Sequence, residues 1–294
     1  LTYLAFDIGG TNIKYAEIDE KGAFLTSGKE PTPKTYQDLL RLLQLKSSQK
    51  NKIKGIAISS PGIYDQKNKR ITGSSALSYL INQSLIKDLE ERISLPIAIE
   101  NDGNCALLGE IWQGAAKKCQ SAVMFVIGTA VGGAIYTRGE ILKGAHLSAG
   151  ELGYMLVDND VSESSYHSLG GHVGFEGVLE RGKKYGITAA SGVELLEEAK
   201  KELQTEMFYQ KQIDYLAIGI LTIQYVIDPE IIVIGGAVSQ NEQFALYLKK
   251  ALEKLLKKRP NYKIKPNVVF SKYGNDANLM GAVFNWMQTY ENKK

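Results

Sequence analysis

Apolar and β-branched residues open the chain in two short runs, Leu4-Ala5-Phe6-Asp7-Ile8 and Ile13 to Ile18, on either side of Gly9-Gly10-Thr11. This predicts two strands pinched around a turn of small residues. The pattern returns at 122–136, where Ala122 to Ile127 leads through Gly128-Thr129-Ala130-Val131-Gly132-Gly133 into Ala134-Ile135-Tyr136. Two copies of one hairpin about half a chain apart predict a duplicated α/β core.

Between the copies, Gly22 turns the chain and helical periodicity runs over 36–48. A strand over 53–59 ends at Ser60-Pro61-Gly62, a turn by composition, and 63–72 reads as a polar excursion. Apolar spacing predicts a helix over 80–93. A buried strand over 96–100 leads into Asn101-Asp102-Gly103-Asn104 and a helix of small residues over 105–114. After the second hairpin, 143–154 is a loop and 155–157 a strand. Residues 161–177 read as irregular, and helices are expected over 192–204 and 213–227, the latter stopped by Asp228-Pro229. Ile231 to Ile234 is a buried strand opening into a glycine turn at Gly235-Gly236 ahead of a helix. A strand over 267–271 and a closing helix after Asn278 finish the chain.

The glycine turns carry the first chemical signal. Without a Cβ, glycine lets backbone approach a ligand and tolerates positive φ, and successive N–H groups in such a turn make a concavity for phosphate oxygens. Asp7 at the strand end suits a Mg2+-bound water, and Thr11 and Lys14 add a hydroxyl and a positive charge. An ordinary glycine hairpin is the alternative for this stretch alone. A Walker-type loop is excluded, because GxxxxGK[ST] is missing and a strand follows the turn. Asp102 follows a buried strand, where it is either a catalytic carboxylate or the cap of the next helix.

Bulk properties add limits. The chain has 294 residues, 44% hydrophobic and 23% charged, values of an ordinary globular protein, and its net charge of +3 argues for neither nucleic acid nor a membrane surface. The Lys-rich stretch 249–259 has interleaved leucines, as on the solvated face of an amphipathic helix. No apolar run reaches membrane-spanning length. With strand 1 entered at once, no room is expected for a signal peptide. Two cysteines, Cys105 and Cys119, make no disulfide framework, which fits a reducing, cytoplasmic location.

Taken in order, Asp7-x-Gly9-Gly10-Thr11-x-x-Lys14, Ser60-Pro61-Gly62, Glu100-Asn101-Asp102, Gly128-Thr129-x-x-Gly132-Gly133, Gly150-Glu151-x-Gly153 and Gly235-Gly236 resemble the sugar kinases of the ROK family (repressor, open reading frame, kinase) along essentially the whole chain. The resemblance implies an α/β, two-domain actin-like ATPase fold of the ribonuclease H-like, hexokinase and Hsp70 type, with a duplicated core and an interdomain cleft. The domains are expected at 1–116 with 278–294, and at 117–277. It implies an ATP-dependent hexose kinase acting on a hydroxyl, O6 in the leading reading. Gly9, Gly10, Thr11 and Lys14 would cradle ATP phosphates with Asp7 near Mg2+, and Gly128, Thr129, Gly132 and Gly133 would close on them. Gly235 and Gly236 would pass under the adenosine, with a tight structural turn the alternative. Asp102 would be the general base. Asn101, Glu151, Tyr154 and Gly62 would bind sugar, Ser74 and Ser75 being weaker candidates better read as plain loop.

Departures from the family pattern matter as much. A histidine is expected after Gly153, where Tyr154 stands, and the Cys-rich zinc segment has become Ser168 to Glu176 without a cysteine. His167 and His172 alone are too few for a tetrahedral site, so no structural zinc is expected, and packing around Phe175 and Tyr166 should hold the loop. Glu176 and Glu180 are the candidates to replace a later sugar-binding glutamate of the family. The substrate is left among glucose, fructose, N-acetylmannosamine and a β-glucoside. A DNA-binding repressor would carry a helix-turn-helix before the first hairpin, which here begins at residue 4. A catalytically weak sugar sensor is the remaining alternative. A homodimer is expected from the resemblance.

Overall fold

The computed structural model describes residues 1–49, 52–73, 75–158 and 167–291. Ser74 and Tyr166, both named above, lie outside the described residues, as does 161–165 of the stretch read as irregular. The chain begins β1 (Thr2–Ile8), β2 (Asn12–Asp19), β3 (Phe24–Pro31), α1 (Tyr36–Ser48), β4 (Ile53–Ser60), β5 (Ile63–Asp65), β6 (Arg70–Thr72), α2 (Leu85–Glu90), β7 (Ile97–Asn101) and α3 (Asp102–Gln113). It continues through β8 (Ser121–Ile127), β9 (Val131–Thr137), β10 (Glu140–Ile141), α4 (Leu169–Val173), α5 (Phe175–Lys183), α6 (Gly192–Ala199) and α7 (Leu203–Ile227). It closes with β11 (Ile231–Gly236), α8 (Glu242–Lys257), β12 (Val268–Phe270) and α9 (Ala277–Tyr290). No helix among the described residues is long and apolar enough to cross a membrane.

Two compact units divide the chain: Leu1–Lys118 with Asn275–Lys294, and Cys119–Gly274. The first holds the sheet β3-β2-β1-β4-β7 and the second the sheet β10-β9-β8-β11-β12. In each, a hairpin (β1/β2 or β8/β9) is antiparallel, and two further strands join parallel to its first strand's free edge. The repeat of hairpin and sheet order is the duplication that the two glycine turns predict. Each sheet has its own core. Leu4, Phe6, Ile8, Ile56 and Ile58 meet Leu39, Leu40 and Leu43 of α1 in the first unit. Val123, Phe125, Ile232 and Ile234 meet Leu216, Ile220, Phe244 and Tyr247 of α7 and α8 in the second.

In the first unit, α9 packs against α3 and the sheet through small residues. A methyl group on Gly281 would sit 1.7 Å from the Cys105 carbonyl oxygen, and one on Gly109 2.3 Å from that of Ala277. Trp286 of α9 fills the space over Gly55, its Nε1 donates to the Pro96 carbonyl at 3.0 Å, and its ring lies 5.1 Å from that of Tyr3. Tyr290 Oη donates to the Ile97 carbonyl at 2.9 Å.

Several expected elements need correction. The helix expected over 80–93 shrinks to α2, because Asn82 takes a left-handed φ of 65° and residues 82–83 pair with Ile71 through Asn82 N–H to Ile71 O (2.7 Å) and Ile71 N–H to Gln83 O (3.1 Å). The polar excursion 63–72 is the hairpin β5/β6. The strand expected over 155–157 reduces to a single bridge between Leu156 and Ser168. Residues 169–177, read as irregular, form α4 and the start of α5, while the expected helix at 213–227 begins ten residues earlier as α7. No strand was expected at β3, which is largely exposed and has no apolar alternation to reveal it.

Candidate functional site

Asp7 is the penultimate residue of β1, paired across the sheet with Lys14 and Ser59. Its Oδ1 accepts from Ser59 Oγ at 2.9 Å and from Asn278 Nδ2 at 3.0 Å. Two donors on one oxygen fix the carboxylate, and Oδ2 has no hydrogen bond among the described residues. That oxygen suits a water on a hard cation. Lys14 spends its ammonium on the Asn275 carbonyl at 2.8 Å, at the entry to α9.

The first turn is closed by Gly9 N–H to Asn12 O at 3.1 Å, and by Thr32, whose hydroxyl donates to Gly9 O and whose N–H donates to Thr11 O. The N–H groups of Gly10 and Thr11 have no hydrogen-bond partner among the described residues, and both residues are exposed. Neither Gly9 nor Gly10 uses a positive φ; what counts is the missing Cβ. At Gly9 a Cβ would lie 2.8 Å from Asn12 O, so the turn itself demands glycine there, whereas at Gly10 its nearest neighbour would be Ala76 Cβ at 3.5 Å.

The second turn repeats this. Gly128 N–H bonds Ala130 O at 3.0 Å, and the N–H groups of Thr129 and Ala130 have no partner among the described residues. A Cβ on Gly128 would meet nothing within 4 Å. The turn is tied from outside by Phe175 and Glu176 at the start of α5, whose N–H groups donate to Gly128 O and Thr129 O at 3.0 Å each. Gly132 and Gly133 lie within β9 rather than in the turn. Gly133 makes room for the chain at Gly150 and Leu152, and Gly153 for Val131 O. These glycines seat the segment bearing Glu151 against β9.

Asn101 and Asp102 divide their duties at the β7/α3 junction. Asn101 is the cap: its Oδ1 accepts from Asn104 N–H at 3.2 Å, and its Nδ2 donates to Gly62 O at 2.9 Å. Gly62, at φ +88°, is thereby held against the cap. Buried Glu100 accepts from Asn101 N–H at 2.9 Å and Asn104 Nδ2 at 3.0 Å. Asp102 is the first helical residue, exposed, with Oδ1 accepting from Gly103 N–H at 2.8 Å. Capping of α3 therefore does not explain Asp102.

In the second unit, Glu151 is half-buried and burial raises its pKa from the ordinary carboxyl value. Three residues on, Tyr154 is 75% exposed. Glu176 and Glu180 line a cavity of about 540 Å³ with Thr129, Ala130, Gly171 and Lys183, beside the second turn. Gly236, at φ +82°, would place a Cβ 2.3 Å from Ile127 O, and Gly235 one 2.2 Å from Met124 Cε. The tight turn itself requires glycine at Gly236, whereas at Gly235 the neighbour is the flexible end of the Met124 side chain. Ser75 Oγ accepts from Leu77 N–H at 3.0 Å, a local loop contact, and Phe175 packs on Gly192.

The sequence reading missed Ser59, Asn104 and Thr32, which hold Asp7, Glu100 and the first turn. Their only signal was position: Ser59 lies at the end of the predicted strand 53–59, and Asn104 stands three residues after the cap.

Three comparisons bear on this geometry. The model of the ROK family matches residues 3–289. A beta-glucoside kinase of Klebsiella pneumoniae is 31% identical over 303 residues, covering 97% of this chain and 96% of that protein. Among solved structures, a ROK family protein from Streptococcus pneumoniae TIGR4 in complex with sucrose is 33% identical, with a TM-score of 0.91 over 99% of this chain and 100% of that one. A ROK family glucokinase from Streptomyces griseus in complex with glucose and AMPPNP, 21% identical, has the same fold, with a TM-score of 0.80 over 96% of this chain and 98% of its own. The chain belongs to the ROK family and has the actin-like ATPase fold.

Proposed function

We propose that this protein is an ATP-dependent sugar kinase that transfers the γ-phosphoryl group to a hexose hydroxyl, O6, with a β-glucoside as its sugar. The observation that supports it most is the pair of like turns, each presenting two adjacent backbone N–H groups without a protein partner. Such groups attract phosphate oxygens, and the open space at Gly10 and Gly128 lets a ligand reach them. In this reading Gly9, Gly10 and Thr11 on the first unit, and Gly128 and Thr129 on the second, bind the phosphates. Lys14 adds charge, Asp7 would hold the Mg2+ of the nucleotide through water, and that ion neutralises phosphate charge when bound. Gly132, Gly133, Gly235 and Gly236 shape the backbone behind these contacts.

Phosphoryl transfer asks the protein chiefly for positioning and charge stabilisation. Asp102 would align the sugar hydroxyl and take its proton, with Asn101 and Gly62 fixing where α3 begins. Glu151 would grip hydroxyls, and the exposed Tyr154 ring offers a flat face to a sugar. Likeness to the Klebsiella pneumoniae beta-glucoside kinase, matched over nearly its full length, supports the β-glucoside.

A coupled ADP-release assay over glucose, fructose, mannose, N-acetylmannosamine and a β-glucoside disaccharide tests the proposal. Turnover is expected to be highest on the β-glucoside and to fall roughly 10²–10⁴-fold in Asp102→Asn. No ADP release above that variant's background on any sugar would favour a sensor. Preference for a monosaccharide would keep the kinase and overturn the substrate.

A further inference from the structure

Away from these turns, three side chains of the second unit converge without satisfying one another. His172 on α4 is 1% exposed and His167 is 8% exposed. Among the described residues, both ring nitrogens of His167 and Nε2 of His172 lack a hydrogen-bond partner. Unpaired buried polar atoms are costly, and here they share one focus. Asp158 Oδ2 lies 3.4 Å from His172 Nε2 and 3.7 Å from His167 Nδ1. One ligand atom from each of the three residues can be chosen so that all lie within 4.8 Å of one another.

The tautomer of His172 follows from its neighbours. Gln212 on α7 donates through Nε2 to the Phe208 carbonyl at 3.2 Å, which turns its Oε1 toward His172 Nδ1 at 3.1 Å. An amide oxygen only accepts, so Nδ1 carries the proton and Nε2 points a lone pair at the carboxylate. A lone pair facing a carboxylate is repulsive, and a cation bound between them would relieve it. An oxygen or backbone partner behind the ring is also how ligating histidines are held. Tyr215 stacks on the His172 ring at 3.7 Å and donates to Asp158 Oδ2 at 3.2 Å.

We propose that Asp158, His167 and His172 bind one divalent transition-metal ion of the zinc class. With bonds of about 2.0–2.1 Å, ligand atoms on a tetrahedral ion sit about 3.3–3.4 Å apart, close to the two separations above. Two imidazoles and a carboxylate suit zinc and leave a fourth position for water. The ion ties the chain on either side of 159–166 to α4, and through Gln212 to α7. The expectation of no structural zinc weighed only cysteines and the two histidines. Asp158 is nine residues before His167 and joins them only in the fold. The ligand set has no cysteine, and the inference stands independently of the sugar-kinase reading.

The test uses the full chain, purified without a chelator and with any affinity tag removed. Elemental analysis is expected to give about one zinc per chain. After chelator treatment, Zn2+ should restore a raised unfolding temperature, and Co2+ should give the visible absorption of a tetrahedral site. Asp158→Asn and His167→Gln should each weaken Zn2+ binding more than roughly 100-fold, beyond the range typical of supporting residues. The first variant preserves shape, so it separates lost ligation from lost folding. The proposal is overturned if excess Zn2+ gives no stoichiometric uptake and no thermal shift. It is equally overturned if one ion per chain survives in Asp158→Asn combined with His167→Gln, placing the metal elsewhere.

Discussion

A methyl group added at Gly128 would touch nothing, whereas at Gly236 it would collide with the Ile127 carbonyl on a backbone already at φ +82°. Gly236→Ala is therefore expected to cost at least about 1–2 kcal/mol from its left-handed backbone alone, read as a lower denaturant midpoint. Gly128→Ala should leave that midpoint in place and raise KM for ATP, by roughly tenfold if about 1.4 kcal/mol of phosphate contact is lost. Glu151 gives a pH signature. Gripping hydroxyls requires the carboxylate, and burial raises its pKa above the ordinary 4.5, so kcat/KM for sugar should fall on acidification with a midpoint above that value. Stability runs the other way: a raised folded pKa contributes stability below the unfolded pKa and loses it as pH climbs through the folded one. Glu151→Gln should thus give a low, flat activity profile. It should also give a protein no less stable than the parent at pH 7, with any gain vanishing below about pH 4.

Between residues and sheets, the α3 junction and its crossing with α9 carry the first unit. Asn101→Ala removes the cap and the tie to Gly62, for an expected loss of roughly 0.5–2 kcal/mol. In chemical denaturation it should be milder than Gly281→Leu, which drives a side chain into the Cys105 carbonyl and should leave no cooperative transition for that unit. Elements with strong periodicity, such as α1 and β1, were legible in the sequence because propensity and burial agree there. Those that failed were decided by backbone pairing with another stretch of chain rather than by their own apolar pattern. Ile81 and Leu85 keep a helical spacing, yet pairing of 82–83 with Ile71 ends the helix between them. In β3 the strand is made by ladder bonds to β2, with few apolar residues to announce it. At the candidate site, the two turns were legible because glycine marks them. The reassignment of capping to Asn101 and the buried meeting of Asp158 with two histidines depend on side-chain placement that spacing does not encode.

For the molecule as a whole, the second unit is continuous in sequence and the first is not. A fragment of residues 119–274 has its own sheet and core, and is expected to unfold cooperatively by circular dichroism. Residues 1–118 alone should not, because the floor under Gly55 and Tyr3 is Trp286 of α9. Adding a peptide of residues 275–294 should restore the transition, and failure to do so would mean that α9 contributes less than its packing indicates. The same feature has a consequence in time. On a ribosome adding roughly 5–20 residues per second, the strands of the first sheet emerge well before the helix that covers them, separated by the entire second unit. The unit made first is finished last, and for many seconds it presents an uncovered apolar face that a chaperone or an aggregate would recognise.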